Sequence, residues 1–140
     1  GPLRVREAEA GMSLTPGEVL LAPGGYHLVF DRHGVASLNQ EPPEMGVRPA
    51  INVTMASIAQ IPLANPVAVI LTGMGSDGTR GAGLINQAGG YVISEAESSC
   101  VVYGMPRAVF EAGHSDEVLP LDEIAEGITR QVRDVAARSA

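Results

Sequence analysis

Apolar and polar positions change rhythm along this chain, and each rhythm predicts a different element. HLVFDRHGVASLNQ alternates apolar and polar residues around Asp31-Arg32-His33-Gly34, which predicts a hairpin. Before it, residues 1–17 read as a short extended piece and a turn, and EVLLAPGG as a strand ending at glycines. EPPEMGVRP is a loop, because adjacent prolines exclude ladder pairing and Pro49 suits the start of a helix. In AINVTMASIAQI the period lengthens, and Ile51, Met55, Ile58 and Ala59 fall on one helical face.

PVAVILTG is then apolar at consecutive positions, which predicts a fully buried strand in a parallel sheet covered on both faces. TRGAGLINQAGG predicts a helix closed by Gly89-Gly90, and YVISEAE the next strand. PRAVFEAG reads as a short helix opened by Pro106, and EVLPL as a short strand. The last segment, LDEIAEGITRQVRDVAARS, aligns Leu121, Ile124, Ala125, Ile128, Val132 and Val135 on one stripe. Its acids come first and its arginines last, as the helix dipole favours. Alternation of strand and helix over residues 67–138 predicts an α/β fold: a doubly wound, Rossmann-like parallel sheet in three layers with right-handed crossovers.

Composition narrows the classes of function. The 140 residues suit one domain, and 45% apolar content excludes a disordered or disulfide-rich class. Net charge is −7, with nine arginines, no lysine and no cationic cluster, so a nucleic-acid partner is not expected. Aromatic residues are too few for base-stacking platforms. Cys100 is the lone cysteine, which leaves no internal disulfide and no cysteine-based metal site. No apolar run approaches membrane-spanning length, so a cytoplasmic protein without membrane insertion is expected. Gly1-Pro2 reads as a scar of expression.

Chemistry concentrates where PVAVI meets LTGMGSDG, because ligands of such sheets gather at the carboxyl ends of strands. Three readings of Asp77 in that glycine turn compete. In the first, glycines permit a tight turn and Asp77 caps the following helix. In the second, Gly73, Gly75 and Gly78 form a dinucleotide fingerprint with Glu95 ending the next strand as the ribose acid. Against this, some 65 residues precede the turn and Asp77 would face pyrophosphate with like charge. No P-loop lysine follows either. In the third, Asp77 accepts the N–H of a histidine that activates a serine, and nearby backbone N–H groups face an oxyanion.

The motifs LTGMGSDGTRGAG, ESSCVVYGMPRAV, EAGHSDEVLPLDEIA, LRVREAEAGMSLTPGEVLLAPGGYHL and RPAINVTM closely resemble the catalytic domain of the chemotaxis protein-glutamate methylesterases (CheB), from about Leu3 to about Val132. The resemblance implies a cytoplasmic Ser-His-Asp hydrolase, with no cofactor or metal, that cleaves glutamate methyl esters on chemoreceptor cytoplasmic helices. Many members also deamidate receptor glutamines. It implies Asp77 as the catalytic acid, and an N-terminal receiver domain in the full-length protein. The family's serine and histidine belong to strands before the segment matching Leu3, so residues 3–138 are expected to be a partial domain lacking its first strands. Alone, the chain is then expected to be inactive and to self-associate through an exposed sheet edge.

Met74, Gly75, His27, Met105 and Arg107 are expected to line the substrate site. His27 matches a position commonly histidine in the family, and a structural or substrate-side role suits it better than that of a replacement base. His33 and His114 are expected at the surface, Ser98 and Ser99 as caps, and Cys100 as a small packed side chain. Asn52 replaces an aspartate that many relatives carry, which implies an altered contact at a helix start. Asp77→Asn is expected to leave the fold intact while cutting turnover. A non-catalytic receptor-binding or scaffold relative is the alternative.

Overall fold

A computed structural model describes residues 2–139; Gly1, half of the expected scar, lies outside them. The elements follow in the order β1 (Arg4–Glu7), β2 (Glu18–Leu21), β3 (His27–Phe30), β4 (Ala36–Asn39), α1 (Ile51–Ile58), β5 (Val67–Ile70), α2 (Thr79–Gln87), β6 (Tyr91–Glu95), α3 (Met105–Glu111), β7 (Glu117–Leu119) and α4 (Leu121–Ser139). β5, β6 and β7 form a parallel sheet in that order, with β6 central. β1 pairs with β2 in parallel, and β3 with β4 as the antiparallel hairpin. The architecture is Rossmann-like α/β, as the alternation of elements predicts.

The three layers can be read from β6. Val92 packs with Ala82, Ile85 and Val109 of α2 and α3, whereas a Cβ on Gly127 of α4 would lie 3.6 Å from Ile93 on the opposite face. Burial along α4 departs from the expected stripe. Leu121 and Val132 are more than half exposed, and Ala125 is exposed too. Ile124, Gly127, Ile128, Gln131 and Val135 turn inward instead. The helix approaches the sheet at Gly127, where a Cβ would sit only 2.5 Å from Leu119 Cδ1. That glycine recentres the buried line. β5 is likewise not fully buried: Ala68 and Ile70 enter the core, while Val67 and Val69 are half-buried on the side of α4.

α1 joins two cores. Ile51, Met55, Ile58 and Ala59 pack on the sheet core, as their spacing predicts. Ile58 also touches a second cluster of Ala8, Leu28, Phe30 and Ala36 under the hairpin. Burying such side chains contributes about 2 kcal/mol each, so packing holds α1 in the fold. In the hairpin turn, Asp31 Oδ1 accepts the N–H groups of His33 and Val35. Those two donors hold its carboxyl below the usual carboxylate range. At the other end of the sheet's first crossover, Gly90 N–H returns to Ile85 C=O and Gly89 takes φ 86°, so the glycine pair closes α2 as expected.

The loops leaving β5 and β6 are bonded to each other. Gly73 N–H donates to Val102 C=O at 3.0 Å, and Gly104 and Met105 N–H donate to Gly73 C=O at 3.1 and 2.8 Å. Only a glycine fits at 104, because a Cβ there would lie 2.6 Å from the Gly73 carbonyl oxygen and 3.1 Å from Gly75 N. These neighbours are main chain and cannot rotate away. Gly104→Ala is expected to cost about 1–3 kcal/mol, the range for overpacked interiors. The readout is a lower urea midpoint at unchanged m-value; an unmoved midpoint would show that the two loops are not locked.

Candidate functional site

α1 begins without a cap of its own, since Ala50 at its N-cap offers no side-chain acceptor. Three consecutive amides are closed from elsewhere. Ala50 N–H donates to His27 Nδ1 at 3.2 Å, Ile51 N–H to Asp77 Oδ2 at 2.7 Å, and Asn52 N–H to Asp77 Oδ1 at 2.9 Å. α2 has the same need, because its N-cap is Gly78 at φ 102°. Asn52 Oδ1 meets it, accepting Gly78 N–H at 3.0 Å and Gly81 N–H at 2.8 Å. Each helix thus supplies the other's cap: Asp77, beside the start of α2, closes α1, and Asn52, in the first turn of α1, closes α2.

Asp77 therefore caps a helix, though α1 rather than the one that follows it in sequence. It retains capacity beyond that. Each carboxylate oxygen takes one N–H and has a second lone pair, and the residue is 8% exposed rather than sealed. Next to it, Met74 is 84% exposed and Gly75 takes φ 88°, so the tip of the turn faces outward. Met105 closes over Gly73, where its sulfur occupies the space a Cβ would need. Arg107 is exposed and paired with Glu111 at 3.2 Å. It borders an open hollow of about 340 Å³ with Glu97, Tyr103, Phe110 and Glu111. His27 is apart from these, 1% exposed, with Nε2 3.0 Å from Pro42 C=O.

Glu95 is not placed as a ribose acid. It is 1% exposed, and its oxygens accept Thr72 N–H and the Ser99 hydroxyl, both at 2.8 Å. Ser99 Oγ also accepts Leu121 N–H at the start of α4, the capping role expected of it. Burial and the nearby Glu95 push the Cys100 thiol up, which keeps it protonated and poorly nucleophilic at neutral pH. His33 is exposed as expected. His114 is not a surface residue: it is half-buried, its ring lying where a Cβ on Gly83 would come within 2.8 Å of Nε2. No group of three or more His, Cys, Asp or Glu suited to a metal occurs among the described residues, and no described helix is long and apolar enough to cross a membrane.

The roles of Asn52 as the reciprocal cap and of Glu95 as the brace between strand ends are those least visible in sequence. One signal did exist for Asn52. Two helices start at residues unable to cap themselves, Ala50 and Gly78, and the chain places one short polar side chain near each.

Residues 1–128 match the CheB methylesterase family, so the chain belongs to that family. It is 52% identical over 130 residues to a protein-glutamate methylesterase/protein-glutamine glutaminase of Symbiobacterium thermophilum, covering 93% of this chain and 36% of that protein. A protein of the same description from Clostridium acetobutylicum is 45% identical over 131 residues, covering 94% and 38%. The crystal structure of the Thermotoga maritima CheB methylesterase catalytic domain superposes with TM-score 0.84 at 44% identity, over 89% of this chain and 68% of that one. The chain thus spans little more than a third of the length of the curated relatives it matches.

The reciprocal caps revise the expectation that Asp77→Asn leaves the fold untouched. An amide has one oxygen, so its NH₂ would face the N–H of Ile51 or Asn52, donor against donor. A buried donor left without a partner costs about 1–3 kcal/mol. Asp77→Asn and Asn52→Ala are each expected to lose stability in that range, with a combined loss below the sum because they close one unit. Equilibrium urea unfolding of both single variants and the double variant measures this; additive losses would show that the two caps are independent.

Proposed function

We propose that this chain is part of a protein-glutamate methylesterase catalytic domain, with Asp77 as the acid of a Ser-His-Asp triad. The carrying observation is a carboxylate held by two main-chain amides at the carboxyl end of a parallel strand, with lone pairs to spare. The serine and histidine come from the portion of the domain preceding Leu3. In the reaction, the serine oxygen attacks the ester carbonyl of a methylated glutamate while the histidine takes its proton. Asp77 accepts the opposite ring N–H and holds the tautomer. The tetrahedral intermediate expels methanol, which leaves with the proton from histidine, and water then cleaves the acyl-serine to free glutamate and serine. A glutamine side chain follows the same path with ammonia as leaving group.

Main-chain N–H groups at Met74 and Gly75 face the oxyanion, and Met105 and Arg107 border the path of the substrate. The partners are chemoreceptor cytoplasmic helices in the cytoplasm and, in the full-length protein, an N-terminal receiver domain. No cofactor takes part. The cap made by Asp77 also supports a second reading, a non-catalytic receptor-binding relative, because the residue has a structural use without chemistry.

Methanol release from methylated receptor separates the two. The full-length protein is expected to turn over, and Asp77→Ala to fall by roughly 10⁴-fold at a temperature where it remains folded by circular dichroism. Equal turnover of the variant would leave Asp77 only as a cap. The 140-residue chain alone is expected to stay at background. β5 pairs with β6 alone among the described residues, so its other edge is open to a further strand. Light scattering after size-exclusion chromatography is expected to find the chain self-associated; a monomer would refute association through that edge.

A further inference from the structure

The ring of His27 has a defined tautomer. Pro42 C=O can only accept, so Nε2 carries the hydrogen; Ala50 N–H can only donate, so Nδ1 carries none. The ring is therefore neutral and bridges two points of the loop between β4 and α1. The second of those points matters for chemistry. Ala50, Ile51 and Asn52 present their amides in succession, the first to His27 and the next two to Asp77. Only the φ and ψ of Ala50, −115° and 134°, separate its N–H from that of Ile51, so the two amides lie one Cα apart at the start of α1. A displacement of the Ala50 amide reaches the pair that grips the carboxylate through that single Cα.

We propose that His27 is a positioning residue for Asp77, acting through the Ala50 amide and the first turn of α1. The proposal rests on the hydrolase reading only for its effect on turnover; its structural half stands alone. Ala50 has no side-chain acceptor for this turn, and among the described residues no other acceptor for its N–H is seen. His27 itself is 1% exposed, so it acts without meeting substrate. A shift of the Asp77 carboxylate would misalign the histidine it orients, which lowers turnover and leaves substrate binding in place.

Two isosteric variants separate the two ring nitrogens. An asparagine oxygen is one bond from Cγ, like Nδ1, and can accept the Ala50 N–H. A glutamine nitrogen lies one bond further out, like Nε2, and can donate to Pro42 C=O while leaving Ala50 without a partner. In the full-length protein, His27→Gln is expected to lower kcat on the order of tenfold with KM unchanged. His27→Asn is expected to restore kcat to within about threefold of the original. Amide hydrogen exchange followed by NMR is expected to speed up at Ile51 and Asn52 in His27→Gln and not in His27→Asn.

Equal kcat in both variants, or a loss in both that tracks thermal stability, would overturn the proposal, as would unchanged exchange at Ile51 and Asn52 in His27→Gln. If the unmodified full-length protein released no methanol, the hydrolase reading would fail by itself. The exchange measurement would still decide whether His27 sets the amides that hold Asp77. Should His27→Gln not fold, exchange in His27→Asn decides: protection at Ile51 and Asn52 equal to the original supports the proposal, and faster exchange refutes it.

Discussion

The fold of the carboxyl-terminal half turns on one carboxylate bridging two amides across a helix start. A helix leaves its first N–H groups without intrahelical partners, and burying them unpaired costs about 1–3 kcal/mol apiece. Here the start of α1 is buried and its N-cap residue has no acceptor, so Asp77 must lie against it. That requirement places the loop after β5 relative to the segment after the hairpin. Asn52 returns the contact to α2, and the starts of the two helices are held against each other. Hydrophobic burial keeps α1 and α2 in the core, where Ile51, Met55, Ala82 and Ile85 meet. It is non-directional, and cannot by itself decide where either helix begins.

Much of the fold was legible because its signals are local. Alternation around Asp31–Gly34, the glycine pair after α2 and the helix–strand order over 67–138 depend on residues close in sequence. The misplaced part of the α4 stripe shows where this fails. A period of 3.6 identifies an apolar face, yet Gly127 adds nothing to that face and still sets the approach to the sheet. Apolar periodicity counts side chains, whereas close packing also depends on where one is missing.

The candidate site was legible in part. The glycine turn marks its position, and the family resemblance marks Asp77. The partners of Asp77 lie 25 and 26 residues away, those of Asn52 26 and 29, and that of Glu95 in the β5 loop 23. No spacing rule relates such residues, because their contact follows from the crossover and not from a motif. A short acid or amide near a glycine turn is read from sequence as capping the next helix. The alternative, two helices exchanging caps, appears only when both starts are seen side by side.

Charge also bears on the two helix starts. The start of a helix carries roughly +0.5 of an elementary charge, so two converging starts present about +1. The Asp77 carboxylate matches that, and Asn52 closes α2 without adding charge. The balance bears on the chemistry. In the proposed hydrolase, a carboxylate already compensated by two helix dipoles has less field to offer an imidazolium than a free one. What it offers undiminished is direction, since its oxygens are fixed by main-chain donors that cannot change rotamer. On that proposal Asp77 is suited to orient a histidine more than to stabilise its charge, and the residues that aim the α1 amides belong to the proposed mechanism.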